Sequence, residues 1–216
     1  MKNFFYKNKL DPEIFNYSFA PSAPNKWKKN INEWLNSDDL TKVMKLYEQQ
    51  YSDFVFIGPS PIDFDHKLFY GKCVWEELCK FDLKKFLKKR KHKIGIIFNT
   101  DPHNKGGEHW VSSFIDLTHK PNPYFFYFDS NGDKVLKEVK VLADRIILQA
   151  KDLGITMDFF QNHPLEHQQG DTECGIYSLY MISEILTGKK TYNYFLKTIV
   201  SDKAMESLRD SFFDLN

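Results

Sequence analysis

The chain reads as an α+β protein, a small mixed β-sheet flanked by helices. Three observations predict this. Toward both ends the apolar residues recur three and four apart, which is the period of a helix buried on one face. Between Ile94 and Phe128 the pattern changes to short runs of Ile, Val, Phe and Tyr separated by turn residues, which is the mark of buried strands. Aromatic residues make up 16% of the 216-residue chain, with 20 Phe and 11 Tyr, enough to fill one substantial core and too many for a disordered segment.

Taken in order, residues 1–30 are rich in Asn, Pro, Lys and aromatics and read as an irregular arm packed on one body spanning residues 31–216. Ile31, Trp34, Leu35, Val43, Met44, Leu46 and Tyr47 have helical spacing, predicting a helix from Ile31 to Gln50 with Ser37 or Asp38 capping its second part. Phe54 to Ile57 predicts a short strand ended by a Gly58-Pro59 turn. Trp75 to Lys89 reads as a helix with Leu78, Phe81, Leu83, Phe86 and Leu87 turned inward. Strands follow at Ile94–Asn99, Trp110–Leu117 and Tyr124–Phe128, the last ended by an Asn131-Gly132 turn. Val135 to Asp152 is an amphipathic helix, and Met157 to Phe160 another short strand. A helix opens at Cys174 and ends near Gly188, and one or two helices close the chain between Tyr192 and Phe213.

Composition excludes more than it names. Net charge is +1, so the overall field selects no partner. No apolar run approaches the roughly 18 residues that cross a bilayer. Met1 to Lys9 has no apolar core of a signal peptide. A soluble, intracellular protein without a membrane partner is expected. The cysteines are Cys73, Cys79 and Cys174, an odd and low count that argues for a reducing compartment and against a disulfide framework. Cys73 and Cys79 lack a second ligand pair nearby, so no metal is expected, and no cofactor.

The segment His167-Gln168-Gln169-Gly170-Asp171-Thr172-Glu173-Cys174-Gly175 runs straight into the apolar stretch Ile176 to Ile182. That places Cys174 at a helix N-terminus, where unpaired backbone N–H groups and the helix dipole favour an anion. A thiolate is an anion, and such a position makes a cysteine nucleophilic. A buried, inert thiol is the usual reading of a lone cysteine. The upstream Gln168 and the dipeptide His109-Trp110 weigh against it here. His109 begins a strand and can serve as a base; Asp129 ends the next strand and can hold the imidazole's tautomer. Taken singly, His109 is as readily a solvated loop residue and Asp129 as readily a turn former. Together with Gln168 as an oxyanion donor they make an acyl-transfer set.

Glu108-His109-Trp110, Phe128-Asp129-Ser130 and the Gln168 to Tyr177 segment resemble the ubiquitin-like-protein-specific cysteine proteases. That group includes deSUMOylating enzymes, the adenovirus protease and the maturation proteases of large DNA viruses. Trp34 to Met44 is similar to the family's N-terminal helix-start motif, so the likeness stretches from about Trp34 to Tyr180. The resemblance implies a papain-like fold of the adenain and deSUMOylase type. It further implies Cys174 as nucleophile, His109 as base and acid, Asp129 as orienter, and Gln168 as oxyanion donor beside the Cys174 N–H. Gln169 is the alternative donor; family spacing favours Gln168. Deconjugating members carry Asp before the nucleophile, where this chain has Glu173. Trp34 and Trp110 fall where family members roof a Gly-Gly segment, so the implied partner is a protein with a Gly-Gly motif. Size and residues 52–64 look most like the large-DNA-virus branch, which cuts structural polyproteins during particle maturation in host cytoplasm and virion. A deSUMOylase or deubiquitinase is the alternative, and a non-catalytic module of the same fold a third reading.

Lys84, Lys85, Lys88, Lys89, Arg90, Lys91 and Lys93 form a basic cluster, and phosphate contacts need no sequence code. No aromatic platform interleaves these cations. A solvated helix end is therefore preferred over a nucleic-acid site.

Overall fold

The computed structural model describes residues 20–214, so the first 19 residues of the expected arm lie outside the described residues. Five strands form one sheet in the order β1-β2-β3-β4-β5. They are β1 (Phe54–Pro61), β2 (Lys93–Asn99), β3 (Trp110–Asp116), β4 (Tyr124–Phe128) and β5 (Asp158–Gln161). The two outer pairs, β1 with β2 and β4 with β5, are parallel, and β3 is antiparallel to both its neighbours. The sheet is therefore mixed, as expected. Helices are α1 (Ser37–Gln50), α2 (Glu76–Cys79), α3 (Leu83–Lys88), α4 (Lys137–Asp152), α5 (Cys174–Leu186), α6 (Tyr192–Phe195), α7 (Asp202–Glu206) and α8 (Arg209–Phe212).

Both sheet faces are covered, which is why the strands read as nearly continuous apolar runs. Side chains alternate across a strand. Phe54, Phe56, Ile97, Phe114, Phe126 and Phe128 pack in one cluster with residues of α1 and α5. Ile94, Ile96, Phe98, Val111, Ile115, Phe125 and Tyr127 pack in the other with residues of α4. Full burial of such a side chain contributes about 2 kcal/mol. The central strands are thereby fixed, and their ends become rigid mounts for His109 and Asp129.

Several boundaries differ from the sequence expectation, each for a local reason. Helix α1 starts at Ser37 rather than Ile31. The Asn36 side chain accepts the N–H groups of Asp38 and Asp39, and Asp39 accepts that of Asn36 in return. This capping box makes residue 36 the start and leaves Trp34 and Leu35 in a non-helical lead-in. β1 does not turn at Gly58-Pro59 but continues to Pro61 through a register shift. Gly58 has φ +114°, and a Cβ there would stand 2.6 Å from the Ile97 carbonyl oxygen, so a glycine forms the bulge. The expected helix over Trp75–Lys89 is two helices, because the Asp82 side chain accepts the Lys85 N–H and restarts the chain as α3. The chain closes with three short helices rather than one or two.

The largest correction concerns Cys73 and Cys79, which form a disulfide with Cα atoms 6.3 Å apart. An odd cysteine count says nothing about two thiols brought together by a hairpin running into α2. Among the described residues, no group of His, Cys, Asp or Glu could hold a metal ion, and no helix is long and apolar enough to cross a membrane. What is described of the arm is anchored. Trp27 is buried, with its ring centroid 5.0 Å from that of Phe213.

Candidate active site

Cys174 is the first residue of α5, a helix buried along nearly its whole length between the sheet and α1. It is the free cysteine of the described chain and is 3% exposed. His109 sits immediately before β3, and its carbonyl accepts the Thr100 N–H, which keeps the strand start paired to the end of β2.

Asp129 follows β4 directly and is buried. His109 Nε2 lies 2.8 Å from Asp129 Oδ1, and the Cys174 side chain is near enough to act on the same imidazole. The three side chains thus stand in line, with the histidine in the middle. Burial works against a positive charge on His109. The Asp129 carboxylate and the Cys174 sulfur beside it outweigh that, and its pKa is pushed up to about 10. An imidazolium is therefore at home between these two groups.

Two residues that the sequence reading gave no role complete the frame. Asn162 accepts the Asp129 N–H at 2.9 Å and donates to the Asp129 carbonyl at 2.7 Å, fixing the backbone from which the carboxylate projects. Ser130 donates its hydroxyl to Gln168 Oε1 at 2.9 Å. That contact settles which glutamine faces inward. Gln168 is 3% exposed, with its amide N–H₂ directed to the Gly170 carbonyl, whereas the Gln169 side chain is in solvent. Ser130 lies in the quoted Phe-Asp-Ser tripeptide, but nothing in the tripeptide says what its hydroxyl would meet. The turn after β4 approaches the same loop closely. Gly132 has φ +73°, and a Cβ there would stand 2.7 Å from the Glu166 nitrogen.

A groove of about 770 Å³ runs past the site, lined by Trp34, Trp75 and Trp110 among others. Trp34 is 42% exposed, while Trp110 is only 8% exposed and donates its indole N–H to the Leu35 carbonyl. Trp110 therefore lines the groove from within the core, and Trp34 is the freer of the two. Trp75 is a third indole that sequence reasoning placed on a helix and assigned no function. Glu108 and Trp110, on either side of His109, line this groove, but Cys174 does not. In the basic cluster, Lys91 is spent on the Ser52 and Phe54 carbonyls and Lys93 pairs with Asp53.

A thiol beside an imidazole that is braced by a carboxylate, at a helix N-terminus, suits attack on a carbonyl. Comparison with known proteins agrees with that chemistry. A thiol-protease-named protein of Acanthamoeba polyphaga mimivirus is 26% identical over 204 residues, covering 94% of this chain. The chain spans 63% of that protein's length. A cysteine protease of African swine fever virus is 24% identical over 192 residues, covering 86% of this chain and 69% of its own. The crystal structure of an African swine fever virus protease superposes with a TM-score of 0.76 at 23% identity, covering 100% of this chain and 79% of that one. A Chlamydia trachomatis effector bound to ubiquitin superposes with a TM-score of 0.53 at 12% identity, covering 82% of this chain and 90% of its own. Over residues 76–216 the sequence matches the C-terminal catalytic domain of the Ulp1 proteases, and the chain belongs to the Ulp1 protease family.

Proposed function

We propose that this chain is a cysteine endopeptidase that cleaves after Gly-Gly-type sites. The observation that carries the reading is the line from Asp129, hydrogen-bonded to His109, to Cys174 at the start of α5. In the proposed cycle His109 takes the Cys174 proton, and the thiolate attacks the scissile carbonyl carbon. The resulting oxyanion accepts hydrogen bonds from the Gln168 side chain and the Cys174 backbone N–H. Collapse expels the amine, which leaves with the proton from His109, and a thioester remains. Water, deprotonated by His109, hydrolyses the thioester and restores the thiol. Asp129 keeps one ring nitrogen occupied so that the other faces the sulfur.

Glycine selection follows from the walls of the groove. Indoles from Trp34 and Trp75, with Trp110 behind, crowd an extended peptide, and glycine lets another group approach its backbone closely. The viral origin of the relatives supports the large-DNA-virus reading, in which the proposed substrate is a structural polyprotein cut during particle maturation in host cytoplasm and virion. The fold likeness to the ubiquitin-bound Chlamydia effector supports a second reading, an isopeptidase acting on a ubiquitin-like protein. The test is a peptide panel varying the residues on either side of Gly-Gly, run beside SUMO and ubiquitin reporters with wild type and Cys174→Ala. Cleavage of Gly-Gly peptides by wild type alone is expected. Preference for the reporters would favour the isopeptidase, and equal cleavage of Gly→Ala peptides would end the glycine reading.

A further inference from the structure

The proposed chemistry needs two groups to converge on one carbonyl oxygen, Gln168 Nε2 and the Cys174 N–H. The loop between them is exposed at Gln169, Gly170 and Asp171. Its own hydrogen bonds are short-range: Gln168 to the Gly170 carbonyl and the Thr172 hydroxyl to Glu173. Neither fixes the loop to the body of the protein.

Ser130 holds the loop's start through the His167 and Gln168 N–H groups and the Gln168 side chain; from Gln169 onward the anchoring comes from the C-terminal segment between Phe195 and Arg209. On the glutamine side, Asp202 Oδ2 accepts the Gln169 N–H at 3.0 Å and the Gly170 N–H at 2.8 Å. Its other oxygen, Oδ1, lies 2.9 Å from the hydroxyl of Tyr177, one turn into α5. His167, fully buried, accepts the Val200 N–H on one ring nitrogen and faces the Phe195 carbonyl with the other. On the cysteine side, Arg209 is 1% exposed and grips Glu173 through Nε at 3.1 Å and Nη2 at 2.6 Å. Arg209 also donates to the Thr172 and Glu33 carbonyls and lies 4.6 Å over the Trp27 ring. A buried bidentate pair holds direction as well as distance.

We infer that Asp202 and Arg209 are positioning residues that hold the two ends of the Gln168–Cys174 loop in register. Asp202, working with Ser130, sets the oxyanion-donor end through the Gln169 and Gly170 N–H groups, and Arg209, through Glu173, sets the nucleophile end. Neither touches substrate, and the inference rests on the proposed function above. It assigns the Glu173 carboxylate to a buried ion pair, where it is compensated beside the nucleophile.

The two ends separate experimentally. Alkylation of Cys174 by iodoacetamide needs the nucleophile but no oxyanion donor, whereas peptide cleavage needs both. Asp202→Ala is expected to lower kcat about tenfold to a hundredfold with KM nearly unchanged, the scale for an ångström-level misplacement. Its alkylation rate should stay at the wild-type value, and amide exchange at Gln169 and Gly170 should speed up. Asp202→Asn, which keeps an acceptor oxygen, should recover most of kcat. Arg209→Ala alone would strand a buried carboxylate and risks unfolding. The pair is therefore replaced together, as Glu173→Met with Arg209→Met, and this variant should lose both cleavage and alkylation while retaining a cooperative melt. Lys203→Ala, on the same helix and exposed, is the control and should match wild type. Unchanged kcat and exchange in Asp202→Ala would overturn the inference. So would a fall in melting temperature with kcat intact. A wild type that cleaves no peptide would overturn the catalytic reading alone, and exchange at Gln169 and Gly170 would still decide whether Asp202 holds the loop.

Discussion

The loop from His167 to Cys174 and the hairpin from His66 to Cys79 are both short excursions from the sheet, and they are held in opposite ways. The loop is fixed by groups distant in sequence: Ser130 on Gln168, Asp202 on Gln169 and Gly170, Arg209 on Glu173. The hairpin is fixed mostly by itself, with Arg145 donating to the Leu78 carbonyl at 2.8 Å from outside. Leu68 donates to the Lys72 carbonyl at 2.7 Å, Val74 donates to that of His66 at 3.0 Å, and the Cys73–Cys79 disulfide closes the base. Its tip points Phe69 and Tyr70 at solvent, 91% and 103% exposed. Where reacting groups must be placed, the protein uses many long-range contacts; where a local shape suffices, it uses neighbours and one covalent bond. Disturbing the first region is expected to cost activity, and disturbing the tip or the disulfide of the second, which leaves the Trp75 wall of the groove in place, to cost only stability.

The sharpest way to break this contrast is at the proposed trio. Cys174→Ala should abolish turnover and leave the fold intact. His109→Ala should cost orders of magnitude in kcat, and Asp129→Ala less, because the paired start of β3 still holds His109. Steady-state kinetics with matched melting curves checks the order. An Asp129→Ala variant with wild-type kcat would move the third role elsewhere, Asn131 being the nearest candidate.

Next in size is the separation of neighbouring glutamines. Gln168→Ala removes a buried amide and should lower kcat about 100- to 1,000-fold with little change in KM. Gln169→Ala removes a solvated side chain while keeping the backbone N–H that Asp202 accepts, and should be nearly silent.

A smaller, pH-linked effect follows from His109. Its folded pKa, about 10, lies above the ordinary value of 6.5. The pairing therefore contributes fully to stability below about pH 6.5, and that contribution is lost as pH rises toward 10. The slope is bounded at about 1.4 kcal/mol per pH unit for one proton. Denaturant titrations across that window should show the decline in wild type and a flatter line in His109→Ala. Equal slopes would show that His109 gains nothing from Asp129 and Cys174.

The hairpin should give the smallest functional response. Replacing Cys73 and Cys79 by Ser is expected to cost about 2 kcal/mol, the loop-closure scale for so short a ring. Phe69→Ala should fall within about 0.5 kcal/mol of wild type, since its ring is already in water. Cleavage of a short peptide should hold in both. A large fall in kcat would show that the hairpin belongs to the site and would erase the contrast.

Much of this was legible in the sequence, and for a physical reason. Tyr124–Phe128 and Trp110 onward read as strands because both faces of the sheet are covered, so their side chains are uniformly apolar. Cys174 read as a helix start because Gly175 and an apolar run follow it. The misreadings cluster where a short polar side chain outweighs period. Asn36 starts α1 late and Asp82 splits the Trp75–Lys89 stretch, each by accepting backbone N–H groups that apolar spacing does not register. The Leu35 carbonyl that accepts the Trp110 indole N–H comes from a distant segment, and no local signal announces it.

By itself, then, the sequence determined the kind of elements, the strand-end positions of His109 and Asp129, and the helix-start position of Cys174. These rest on hydrophobic period and terminal signals, which are energies of neighbours along the chain. Only the tertiary structure decided which glutamine faces inward, that Ser130 and Asn162 brace Gln168 and Asp129, that Cys73 meets Cys79, and that Arg209 meets both Glu173 and the Glu33 carbonyl 176 positions away. Those partners meet only after the sheet and α5 have packed, because a hydrogen bond needs its two groups within about 3 Å and local propensity does not set distances across the fold.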